Sequence, residues 1–151
     1  MGAENCFCLT HSMPITCVEQ VWTGNTCSEV MIVIPSFLIG AAGYPLLELA
    51  YRGRTHYSMA IAGGLSILLI RRMARMKCPW PVRILACGAG ITGIEYLCGI
   101  IWNRRHTVWD YRNQRLNFRG QICLRFTALW CLLSGLALGA FALIDAQNRP
   151  D

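Results

Sequence analysis

Two acidic side chains stand where acid is costly. Glu95 lies in the middle of an apolar run, Ile91-Thr92-Gly93-Ile94-Glu95-Tyr96. Lipid cannot solvate a carboxylate, so Glu95 must face the protein interior, take a partner or carry a proton. Two readings follow. One is a proton- or ion-linked site; the other is a structural lock in which Glu95 pairs with an arginine or a hydroxyl. Glu48 comes near the end of an earlier run, Gly43-Tyr44-Pro45-Leu46-Leu47-Glu48, one helical turn before Arg52. That spacing predicts an i,i+4 ion pair at the membrane interface. Pro45 is placed to kink the same helix and free a carbonyl.

A third cluster is denser and more mixed. It comprises Trp109-Asp110-Tyr111 and then Asn117-Phe118-Arg119-Gly120-Gln121-Ile122-Cys123. A merely solvated loop has no need of so many aromatic and amide side chains. The pattern predicts a structured loop packed on the membrane face. Asp110 is suited to pair with a nearby arginine, Asn117 and Gly120 are turn formers, and Trp109 and Tyr111 are expected to anchor at the interface. A polar recognition surface is the competing reading.

Other chemistries find no support. His56 and His106 are too few and too scattered for a metal site. No Gly-x-x-x-x-Gly-Lys-Ser/Thr loop surrounds Lys77, so no nucleotide site of that kind is expected. Ser58, Ser66 and Ser134 lack a His/Asp partner set. The sequence therefore predicts neither an enzyme nor a bound cofactor or metal. Cys87, Cys98, Cys123 and Cys131 lie in or beside apolar runs, where cysteine behaves as a small buried hydrophobe. Cys6, Cys8, Cys17 and Cys27 lie in a polar leader, open to disulfide formation if it faces an oxidising compartment.

The elements that position these groups are membrane helices. Only 15% of the residues are charged and 54% are hydrophobic. A soluble domain needs about 25% charge to cover its core. The apolar residues also come in long blocks, as spanning helices require. The expected fold is all-α: a polytopic transmembrane helical bundle of about four spans. These run over about 31–51, 57–70, 82–102 and 124–144, within a membrane domain of 31–145 followed by a short tail, 146–151. The second run is short for a crossing unless residues 71–76 extend it with snorkelling arginines. Cys78-Pro79-Trp80-Pro81 breaks the chain before the third. Gly40 and Gly43 flatten one side of the first span, Ala86, Gly90 and Gly93 the third, and Gly135-x-x-x-Gly139 the fourth.

The net charge of +6 is almost all arginine and sits between the apolar runs. This distribution fits the positive flanks of membrane spans rather than nucleic-acid binding. With the N-terminus outside, Arg52 and Arg54 share the cytoplasmic face with Arg104, Arg105, Arg112, Arg115 and Arg119, while Arg71, Arg72, Arg75 and Lys77 face outward. The balance favours N-out and C-out. Residues 1–30 form an acidic leader without Lys or Arg, unlike a cleaved signal. It is expected to be dispensable, with Met31 an alternative start.

Taken together, Tyr51-Arg52-Gly53-Arg54-Thr55-His56-Tyr57-Ser58-Met59 with Gly63-Gly64, then Thr92, Glu95, Gly99 and Asn103, then Trp109-Asp110-Tyr111, Asn117, Gly120-Gln121-Ile122-Cys123-Leu124 and Trp130, resemble the CmpB-like, type IV family of bacterial ABC transporter permeases. The resemblance covers about residues 36 to 135. Arg115-Leu116 stands where that family's pattern carries a proline. The resemblance implies a small, multi-pass protein of the bacterial inner membrane with a transport role. It adds Thr92 to the candidate site. A chain this small would need a separate ATPase subunit, or a homo-oligomer, beside the lipid bilayer. An intramembrane enzyme or a non-transporting membrane scaffold is the alternative function class.

Overall fold

The computed structural model describes residues 26–147, with side chains from residue 33 onward. Most of the expected leader, including Cys6, Cys8 and Cys17, lies outside the described residues, as does the end of the tail. Four helices follow one another: α1 (Thr26–Arg52), α2 (Tyr57–Ala74), α3 (Trp80–Trp102) and α4 (Leu124–Gln147). A two-residue antiparallel hairpin, β1 (Asn117–Phe118) and β2 (Ile122–Cys123), lies in the connection before α4.

Three of these helices are long and apolar enough to cross a membrane: Val33–Arg52, Trp80–Trp102 and Leu124–Gln147. The expectation of about four spans thus becomes four helices of which three meet that test. α2 has 18 residues and ends on Arg71 and Arg72, which lower its apolar character. Its position explains why it needs less. α2 packs against α1, α3 and α4 alike. It is therefore solvated largely by protein, and Ser58, Met59, Ala62, Gly63, Gly64, Ser66 and Ile70 along it are buried. The outer helices present Leu38, Ile39, Leu97, Ile101, Leu132 and Leu136 outward, as helices facing hydrocarbon do.

The ends of the helices follow local chemistry. Gly53 closes α1 at φ +68, its N–H donating to the Leu49 carbonyl over 2.8 Å. This left-handed cap suits glycine. His56 then caps α2, accepting from the Ser58 N–H at 3.2 Å. α3 starts at Trp80, two residues earlier than the proline break suggested. Pro81 falls in its first turn, where the missing N–H would have had no helical partner anyway. α1 continues through Pro35 and Pro45.

The glycine expectations divide. Gly40 and Gly63 face each other across α1 and α2, and a Cβ on either would run into the other's backbone carbonyl. Gly90 lies tight against Leu69. By contrast a Cβ at Gly43, Gly93 or Gly139 would meet no neighbouring element among the described residues, and one at Gly135 would be only in ordinary contact with Ile84. Close backbone approach thus occurs between α1 and α2 at Gly40 and Gly63, and between α3 and α4 where Gly88 lies against the Cys131 backbone. Of the small-residue face expected on α4, Gly135 meets α3 at ordinary contact and Gly139 meets nothing among the described residues.

Two buried clusters make up the core. Met59, Ala62, Cys98 and Trp109 pack at the end carrying the long α3–α4 connection. Ile70, Cys87, Ile91 and Leu138 pack toward the other end. Between them lies Glu95.

Candidate functional site

Buried residues of α3 recur as Cys87, Ile91, Glu95, Cys98 and Gly99. That is a single helical face, and it turns Glu95 inward to 4% exposure. Two neutral donors meet it there. The Tyr44 hydroxyl on α1 donates to Glu95 Oε1 at 2.5 Å. The Trp130 indole N–H on α4 donates to Oε2 at 2.8 Å. The two rings also stack on each other, centroids 5.1 Å apart and planes 28° apart. One carboxylate therefore ties three helices together at mid-span. Its partners are a hydroxyl and an indole; among the described residues no cation forms an ion pair with it. The arginine-paired version of the lock is thereby replaced.

Thr92 stands one turn earlier on α3. Its hydroxyl is 2.8 Å from the Gly88 carbonyl and 3.0 Å from the Thr127 hydroxyl on α4. It supports the α3–α4 contact and does not reach Glu95 by any hydrogen bond among the described residues.

Glu48 forms the expected ion pair with Arg52 one turn on, and the pair is extended. Thr55 donates to Glu48 Oε2 at 2.7 Å, while Arg52 Nη1 donates to the Val108 carbonyl at 2.9 Å. The end of α1 is thus tied to the connection following α3, on the same face of the bundle.

That connection is built around Asn103, which caps α3 and is fully buried. Its Nδ2 donates to the Trp109 carbonyl at 2.6 Å and to Gln121 Oε1 at 3.0 Å. Gln121 Nε2 returns a bond to the Asn103 carbonyl at 2.9 Å. The Trp109 indole N–H donates to the Gln121 carbonyl at 2.8 Å. Gly99 leaves the space this clamp needs: a Cβ there would lie 3.0 Å from Gln121 Cδ and 3.3 Å from the Trp109 ring. Trp109 is therefore a core residue at 4% exposure, not the interfacial anchor its type suggested. The reason is its donor, which the clamp satisfies inside the protein. Tyr111 is likewise packed inward, stacked on Phe126 with centroids 4.7 Å apart. Burial pushes its phenol up from the ordinary value.

The hairpin confirms the turn chemistry. Asn117 Oδ1 accepts from the Gly120 N–H at 3.0 Å, and Gly120 has φ +65. Asn117 Nδ2 donates to the Gln114 carbonyl at 2.8 Å. Cys123 pairs with Asn117 in register and is buried and free. Asp110 takes its expected arginine, Arg112, whose Nε and Nη2 lie 2.9 and 2.6 Å from the carboxylate. Those bonds hold the Asp110 carboxyl down at about 2.

The candidate residues thus fall into three groups rather than one site. Glu95 belongs to the mid-span triad, Glu48 to the α1 latch, and Trp109, Gln121, Asn117, Gly120 and Cys123 to the connection. Tyr44, Glu48 and Tyr111 come together along one further feature, a lateral cleft of 620 Å³ between α1 and α4. Sequence reasoning did not pair Tyr44 or Trp130 with Glu95. A tyrosine or tryptophan inside a span is ordinarily filler, and only the helix arrangement aims both at one carboxylate.

A protein-family model described as Putative ABC-transporter type IV matches residues 53–145. The match includes Glu95, the clamp and Trp130, and begins just after α1, which carries Tyr44 and Glu48. No curated protein and no solved structure gives a match.

Proposed function

The chain belongs to the type IV ABC-transporter family, and from that premise we propose that this transport-related membrane protein is a permease-type subunit of the bacterial cytoplasmic membrane that works with a separate ATP-hydrolysing partner. The observation that carries the reading is the Glu95 triad. An ionisable group within a span marks a functional position by default. Here a single carboxylate is shared by α1 and α4 through two neutral donors. Movement of either helix against α3 must exchange one of those bonds, so occupancy of Glu95 by a proton or cation biases which helices stay together.

The proposed orientation puts the α1–α2 turn and the Asn103 clamp in the cytoplasm, where they join through Arg52 and Val108. Arg104, Arg105, Arg112, Arg115 and Arg119 gather on that face, in line with the positive-inside rule. A hydrogen-bonded, rigid connection on the cytoplasmic side is the part of the chain suited to receive force from an ATPase.

Native purification of the full chain, with identification of co-eluting proteins, tests the proposal. An ATP-binding subunit should co-elute, and Glu95→Gln should lower ATP hydrolysis by that complex. The absence of an ATPase from the eluate, or hydrolysis unaltered by the substitution, would overturn it.

A further inference from the structure

The cleft between α1 and α4 has two kinds of wall. Its depth is apolar, with Leu47, Leu129, Leu132 and Leu133, and Tyr44 and Trp130 close it on the Glu95 side. Its rim, at the end near the α1–α2 turn, carries Arg52 and Arg125. A volume of 620 Å³ falls among small-molecule sites, which run roughly 300–1,000 Å³.

The charges at the rim do not balance. Arg52 is held by Glu48 and the Val108 carbonyl. Arg125 has no carboxylate partner among the described residues. Two guanidinium groups therefore face one carboxylate, leaving one positive charge where the first turn of α4 meets the headgroup region. From Arg125 to Leu133 the helix rises about 12 Å. That is room for a good part of one acyl chain running down from a head held at Arg125. Leu47 and Leu132 remain 57% and 62% exposed, so the cleft is open sideways to hydrocarbon and can fill from the membrane.

We propose that this cleft binds an anionic phospholipid, one acyl chain lying between α1 and α4 and the phosphate head at Arg125. The charge complementarity selects the head, since a basic pocket between helices favours an anionic lipid over a zwitterionic one. The apolar depth accepts the chain. The site stands whether or not the chain works with an ATPase, so its test is separate from that of the proposed function.

The chain has five tryptophans, and Trp130 lines the cleft. The full-length protein in nonionic detergent is titrated with phosphatidylglycerol or phosphatidylcholine carrying the same dibrominated acyl chain. Quenching of Trp130 is obtained as the difference between the native chain and Trp130→Phe. It should saturate, at a lipid fraction about five-fold lower for phosphatidylglycerol, the worth of one arginine near a membrane surface. Arg125→Gln should abolish the preference while leaving quenching by both lipids. Ala128→Phe, which fills the cleft from its wall, should weaken quenching by both lipids, with helicity by circular dichroism unchanged. Equal titrations by the two lipids in the native chain overturn the proposal. So does a preference that survives Arg125→Gln, or quenching indifferent to Ala128→Phe. Cross-linking of Leu132→Cys between two copies that phosphatidylglycerol does not suppress would assign the cleft to a second copy of the chain and overturn it too.

Discussion

The Tyr44 hydroxyl and the Glu95 carboxylate lie 51 residues apart in the chain and 2.5 Å apart in space. This bond couples α1 to α3 at a depth where water does not compete for either group. A hydrogen bond to a charged acceptor contributes about 1.5–3 kcal/mol. Tyr44→Phe keeps the ring stacked on Trp130 and removes only the donor. It is expected to lower unfolding free energy by about 2 kcal/mol, measured by graded SDS denaturation in mixed micelles. A variant as stable as the native chain would show that the bond contributes nothing.

The Gly40–Gly63 contact gives a sharper comparison within one helix. A Cβ at Gly40 meets the Gly63 carbonyl, so Gly40→Ala must push α1 off α2. Overpacking of this kind costs about 1–3 kcal/mol. Gly43, on the same helix, has open space around its Cβ position. Gly43→Ala should be neutral or stabilising by up to about 1 kcal/mol, through helix propensity alone. The same denaturation assay separates the two. Equal effects would mean that the helices do not meet at Gly40.

Charge sparsity and long apolar blocks made the helical membrane fold legible, and proline and glycine marked the breaks. The Glu48–Arg52 and Asp110–Arg112 pairs and the Asn117–Gly120 turn were legible for a common reason: each is local, set by spacing along a few residues. Trp109 was not. Its type suits an interface, but burial was decided by Asn103 and Gln121, which reach it only once α3 and β2 are side by side. The Glu95 partners were hidden for the same reason. Periodicity says that a carboxylate turns inward; it does not say which side chains of two other helices wait there. The cleft depends on the gap left between α1 and α4 beside the Tyr44–Trp130 and Tyr51–Phe126 ring contacts, and Arg125 at its rim reads in sequence as an ordinary flanking charge.

Asp110 supplies a pH dependence with a definite sign. Its carboxyl falls from 3.8 to about 2, first through the side-chain hydrogen bonds from Arg112 and then through the Arg112 backbone N–H. A depressed value in the folded state means that the contribution is fully present above pH 3.8 and is lost as pH falls through about 2. Both groups are at the surface, so the effect is local to the connection. Carboxyl carbon chemical shifts of Asp110 followed by NMR should titrate near 2 in the native chain and move up toward 3.8 in Arg112→Gln. A native midpoint at the ordinary value would show that the bidentate contact does not persist in solution.

Glu95 itself distinguishes a switch from a lock. Both of its partners donate, and only one can also accept. In Glu95→Gln the amide oxygen can take the Trp130 N–H while the amide nitrogen donates to the Tyr44 oxygen, whose own hydroxyl hydrogen then turns elsewhere. Most of the hydrogen bonding is thereby kept, and only the titrating group is removed from the span. Net destabilisation should stay within about 1 kcal/mol. Glu95→Leu offers no acceptor at all, leaving the Tyr44 O–H and the Trp130 N–H unsatisfied, each at about 1–3 kcal/mol. It should cost about 3 kcal/mol or more. Parallel SDS titrations of the two variants, with helicity followed by circular dichroism, check the ordering. A Glu95→Gln protein that folds like the native chain yet fails to support partner ATP hydrolysis would mark the charge as functional. A Glu95→Gln protein as unstable as Glu95→Leu would make the carboxylate a structural lock and remove the support it gives to a transport role.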